Sequence, residues 1–149
     1  MNSLFDKTTA EQLKQRIERL TPETQRLWGK MSPAQMLAHC SAAMEVSLGD
    51  KIMRQVLIGK LIGTRVKKRL LGGKQMSKNM PTDKAYVVSD DRDLDFERRR
   101  LVEFIERFQA GGPVGCTKGP HSFFGMMTPE EWSAMNYMHL DHHLRQFGV

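Results

Sequence analysis

The chain has 149 residues, enough for one domain, 1–149, with a core of its own. Aromatics make up 7% and charged residues 27%, and long β-branched runs are rare, which points to an all-α fold. The net charge of +6 is local: nine Lys/Arg and no acid lie between Lys51 and Pro81, leaving −3 for the rest. That excludes a uniformly nucleic-acid-binding surface.

In chain order, Thr8 and Glu11 form a capping box before a first helix whose inner stripe is Leu13, Ile17 and Leu20. Thr21-Pro22 ends it, and a short turn runs through Trp28 to Gly29. Ser32-Pro33-Ala34-Gln35 starts a second helix: a cap, proline at the first position and a glutamine to close the box. It runs to about Leu48 and stops at Gly49, with Met36, His39, Cys40 and Val46 turned inward.

Residues 50–92 form a long crossover between the second and third main helices. IMRQVLIGKLIGTRVKKRLLGG reads as one or two short helices weakened by Gly59 and Gly63, and KQMSKNMPTDKAYVVSDDRD as extended loop. The apolar side of this segment is expected to cover the bundle while Lys and Arg stay solvated. The third main helix starts near Asp91 or Asp93 with Leu94, Leu101, Ile105 and Phe108 as its stripe, and Arg98, Arg99 and Arg100 read as solvated surface. After Gly111-Gly112-Pro113 a loop carrying His121 leads to the last helix, opened by Thr128, Pro129 and Glu131 and unbroken until Gly148.

On that last helix Trp132, Met135, His139, His143 and Gln146 share one face. His139 and His143 are one turn apart, so their rings can converge. Two readings stand: core histidines with side-chain partners, or two ligands of one metal ion with a third on another helix. The zincin motif is excluded, because Leu140 follows His139 where that motif needs glutamate. His39 lies about 9 Å from the start of its helix, and His139 and His143 about 12 and 6 Å from the end of theirs. Antiparallel helices therefore bring all three imidazoles to one height, and parallel helices separate them. A long crossover lets the second and third helices run the same way and the last run opposite to the second.

Cys40 and Cys116 form no CxxC pair, so no disulfide framework is indicated, and Cys40 reads as core. The first dozen residues carry no apolar signal region. Arg54, Lys60 and Arg65 interrupt the best apolar run, so no membrane span is expected, and the simplest compartment is cytoplasmic.

His39 in SPAQMLAHC, followed by His139-x-x-His142-His143-x-x-Gln146, resembles the DinB-like superfamily. SFFGMMTPEEW…YMHLDHHLRQFG resembles one uncharacterised bacterial branch of it, a domain of unknown function, more closely still. The resemblance implies a four-helix bundle of up-down-down-up topology. Carried over position by position, the metal-binding triad falls on His39, His139 and His143. His142 stands beside a ligand, His121 matches a loop histidine of the branch, and Ser122 departs from the proline common there.

The superfamily includes thiol-dependent S-transferases and a maleylpyruvate isomerase. The expected function is therefore a divalent-metal protein holding zinc, nickel or iron on three histidines and activating a small thiol or water for a transferase or hydrolase-like reaction. His142, His121 and Gln146 are then the candidates for support of the ligands or contact with a small-molecule substrate. Two alternatives stand beside it: a non-catalytic module using basic segment 51–78 for anionic partners, and a structural bundle with a vestigial site. Nucleic acid is disfavoured as a partner because the segment lacks aromatics for base stacking. A homodimer is compatible with exposed helix faces.

Overall fold

A computed structural model describes residues 2–80 and 83–149; Pro81 and Thr82, in the expected extended loop, lie outside the described residues. Those described form five α-helices and two short 3-10 turns with no strand. The helices are α1 (Lys7–Glu18), α2 (Pro33–Leu48), α3 (Leu57–Leu71), α4 (Leu94–Gly111) and α5 (Pro129–Gln146).

Local chemistry sets most of the boundaries. Ser32 and Thr128 both complete capping boxes, with Gln35 and Glu131 respectively, each cap worth about 1 kcal/mol. Gly49 closes α2 in the left-handed conformation, φ 82°. At α1 the cap is Asp6, not Thr8: the Asp6 carboxylate accepts from the Thr9 N–H at 2.7 Å and the helix begins one residue before Thr8. Asp is acceptor-only when ionised, and this bond holds its carboxyl below the ordinary range. Asp93, rather than Asp91, caps α4.

One continuous core joins the elements, with Leu13, Ile17, Leu37, Ile105, Trp132 and Leu140 among its buried members. The side-chain pairings give relative directions. Between α2 and α4, Glu45 meets Arg100 and the following Asp50 meets Arg107, so both numbers rise together. Between α2 and α5 they run opposite: His39 meets His139 and His143, while Ser47 accepts from the Asn136 amide at 2.9 Å. On α4, Arg98 and Arg100 are not free surface. Both are half-buried; Arg98 donates to the Leu20 carbonyl, and Arg100 bridges Glu45 and the buried Glu97. Arg99 alone of the three is exposed.

The crossover departs furthest from expectation. Where one or two short helices were expected it contains a single 15-residue helix, α3, which with the four main helices makes five among the described residues. Gly59 and Gly63 do not weaken a marginal helix so much as permit a contact. Both are buried, and a Cβ at either would run into the carbonyl oxygen of Phe123. Around this close approach, Val56 N–H donates to the Ser122 carbonyl at 2.8 Å and the Gln55 amide to Phe123. Lys67, on the same face, is buried; its ammonium donates to the Met126 carbonyl and pairs at 2.7 Å with Glu131, the capping-box carboxylate of α5. The expectation that the apolar side chains of α3 cover the bundle holds only in the C-terminal half, where Leu70 is buried and Val66 and Leu71 pack against the core. In the N-terminal half the glycines face inward and Leu57 and Leu61 are exposed, and Lys67 is buried rather than solvated.

Ala in place of Gly inside a helix ordinarily adds about 1 kcal/mol of stability. Here the sign is expected to reverse. Gly63→Ala forces α3 off the 121–125 turn and costs about 1–3 kcal/mol, as overpacking does. Hydrogen exchange across Leu57–Leu71 should accelerate in the variant; slower exchange there would contradict the close packing.

Candidate metal centre

The antiparallel register of α2 against α5 brings His39, His139 and His143 together. One nitrogen from each ring lies within 4.8 Å of the other two. The ring centroids are 4.7–4.9 Å apart, all at steep mutual angles, so edges rather than faces meet. His39 is buried, and the two α5 rings are half-buried.

The hydrogen bonds determine which nitrogen carries the proton. His39 Nδ1 lies 2.8 Å from the Tyr86 carbonyl, which can only accept, so Nδ1 is the protonated atom and Nε2 offers a lone pair. His143 Nδ1 lies 2.8 Å from Gln146 Oε1, whose amide nitrogen in turn donates to the Trp28 carbonyl. Its Nε2 is likewise left as a lone pair. His39 Nε2 and His139 Nε2 stand 3.0 Å apart. Two lone pairs at that separation repel, so the pair needs a proton from the His139 ring or a cation between them. A tetrahedral ion with bonds of about 2.0–2.1 Å sets its ligand nitrogens about 3.3 Å apart. One pair stands at 3.0 Å and all three nitrogens lie within 4.8 Å of one another, so three neutral imidazoles here could hold a divalent ion.

Burial also sets protonation. Loss of hydration pushes the His143 imidazolium pKa down to about 3, with the nearby His39 adding to the effect. His139 is driven well below its ordinary value by burial and then by His143 and His39. His39 is lowered by burial, against the opposing hydrogen bond to Tyr86. At neutral pH all three are uncharged, the form a metal requires.

The other three candidates occupy distinct places. Gln146 is buried and holds His143 as described; its backbone carbonyl also accepts from the Leu27 N–H at 2.7 Å. Gly29, at φ +80°, has no room for a Cβ because the Gln146 amide fills that space. His142 is half-buried beside the cluster, its ring 5.1 Å from that of His143 and 5.7 Å from Trp28. His121 belongs to the turn that α3 docks against. Its Nδ1 accepts from the N–H groups of Phe123 and Phe124, so its proton sits on Nε2, the reverse of His39 and His143. Among the described residues it makes no hydrogen bond to the three clustered rings.

Two contributors escape a reading of residue types alone. The Tyr86 carbonyl that orients His39 comes from a 3-10 turn, Lys84–Tyr86, capped by Asp83 within the stretch expected to be extended. The only sign of it is an Asp two residues before a lone alanine and an aromatic in polar sequence. Trp28 comes from the turn before α2, and Lys78 lies 4.5 Å over its ring. Cys40 and Cys116 are free thiols buried in the core, each pushed up by burial and so not activated.

An all-helical protein with three neutral imidazoles meeting between two antiparallel helices is the class that fold and cluster define. Residues 3–148 match the family described as Protein of unknown function (DUF1569), and the chain belongs to that family. Comparison with curated proteins and with solved structures gave no match.

The depressed imidazole values predict acid sensitivity of the metal-free chain. Histidines in the unfolded chain titrate near about 6.5, so below that pH the unfolded state binds more protons than the folded one. Stability is therefore full above about 6.5 and falls as pH drops toward the folded values, about 4 at His121 and about 3 at His143. Urea midpoints measured with chelator should fall between pH 7.5 and 5.0. His121→Asn, whose side-chain oxygen can take the two N–H bonds of the turn, should flatten that slope in part; an unchanged slope would contradict the assignment for His121.

Proposed function

We propose that the protein binds a divalent metal ion through His39, His139 and His143, as a single domain spanning 1–149. We read α1, α2, α4 and α5 as an up-down-down-up four-helix bundle with α3 in the crossover, and the family as a branch of the DinB-like superfamily. The observation that carries the metal reading is the tautomer pattern. Two of the three rings donate from Nδ1 to fixed protein oxygens and so keep a bare Nε2, and one nitrogen of each of the three rings lies within 4.8 Å of the others. Such outer partners fix ring orientation and raise ligand basicity.

Zinc, nickel and iron all accept imidazole, and the ligand type does not choose among them. Held by three protein ligands with positions open, the ion would lower the pKa of a bound water or small thiol. The reading extends to a thiol-transferase or hydrolase-like enzyme. In it His142, half-buried next to His143 and uncharged at neutral pH, is the group available to exchange a proton with a bound small molecule. His121 offers an N–H, not a lone pair, and would serve as a donor rather than a ligand.

Elemental analysis of protein purified without a histidine tag should find about one equivalent of divalent metal, as a single three-ligand site requires. His143→Ala should lose it, and His142→Ala should keep it. Retention of the metal by His143→Ala would sink the ligand assignment. Gln146→Leu should weaken metal affinity about 10- to 100-fold, as loss of an outer partner does. Gln146→Glu, which keeps an acceptor for His143, should recover most of that. Equal losses in both variants would mean that Gln146 acts through Trp28 alone.

A further inference from the structure

The outward face of α3 joins exposed aliphatic side chains to a run of cations. Gly59, Gly63, Lys67 and Leu70 face the protein. On the opposite side Leu57 and Leu61 expose 79% and 80% of their surface, Ile58 53%, and Ile52, just before the helix, 84%. Arg65, Lys68 and Arg69 carry the same face onward over the next two turns and are exposed. No acid lies between Lys51 and Lys78. Of the nine cations there, only Lys67 pairs with a carboxylate among the described residues.

We infer that this face docks on an anionic membrane surface. Lipid headgroup phosphates and carboxylates meet the cations, while Leu57, Leu61, Ile58 and Ile52 enter the boundary between headgroups and acyl chains. Both halves of the face are then satisfied by one partner. A nucleic acid would meet the charge but leave the aliphatic side chains in water, and no aromatic residue between 51 and 80 could stack on a base. A second copy of the chain would cover the aliphatic side chains but set unpaired cations against unpaired cations. No helix among the described residues is long and apolar enough to cross a bilayer, so the contact is peripheral. It lies on α3, whereas the three histidines lie on α2 and α5, and it does not depend on metal binding.

Cosedimentation with phosphatidylcholine vesicles, with and without phosphatidylserine, tests this at low and physiological salt. Binding is expected only with phosphatidylserine, weakened by added salt as screening requires. Leu57→Ser/Leu61→Ser should reduce it about tenfold or more, because apolar burial contributes alongside charge. Both positions are exposed, so the fold, read by circular dichroism, should be unchanged. Arg65→Glu/Lys68→Glu should abolish binding, and His143→Ala should leave it intact. Equal binding to neutral vesicles, or full binding by the serine variant, would overturn the inference. So would absence of vesicle binding together with self-association lost in the serine variant, with salt-sensitive DNA binding, or with capture of an acidic protein partner.

Discussion

The register of α2 against α5 is the constraint on which the rest of the molecule depends. It is fixed at two levels: the Ser47–Asn136 hydrogen bond near the end of α2, and the three rings nearer its start. A slip of one turn would displace His39 by about 5.4 Å along the axis and leave each buried ring without its partner. Because burial keeps the imidazoles neutral, they can crowd together without the repulsion of three cations. The arrangement is tolerable only with fixed acceptors for the Nδ1 protons, supplied by the Tyr86 carbonyl and the Gln146 amide oxygen.

Helix α3 braces the start of α5 from outside the α2–α5 contact. It lies against the 121–125 turn through two glycines, and Lys67 reaches the carboxylate that also caps α5. One oxygen of Glu131 thus serves the helix start and the crossover together. A segment far from both histidines in sequence is in this way tied to the first turn of the helix that carries them.

What was readable in the sequence was mostly local chemistry. Ser32 with Gln35, Thr128 with Glu131, and Gly49 are side-chain and backbone preferences that act within one turn, and they mark the ends of the two helices that carry the histidines. Rise per residue then brought His39 level with His139 and His143 once an antiparallel pairing was assumed. The membership of Tyr86 in the cluster was not readable, because its contribution is a backbone carbonyl, common to all residues. Gly59 and Gly63 read as weak points, since a sequence carries no record of the Phe123 carbonyl they face. Leu57 and Leu61 read as covered, as Leu70 is, for the same reason: with glycines taking the inner face of the first turns, those two are turned out. Arg98 and Arg100 read as solvated because their partners, Leu20 and Glu45, are distant in the chain.

The amide of Gln146 grips two things at once, an imidazole on one side and the carbonyl of Trp28 on the other. Any swivel of the His143 ring must therefore drag or release that amide, and with it the segment bearing the indole. Trp28 also has the Lys78 ammonium over its face and the His142 ring nearby, two neighbours whose charge and distance govern how an indole emits. The molecule in effect carries its own optical gauge, with a tryptophan wired by a single side chain to one ring of the cluster.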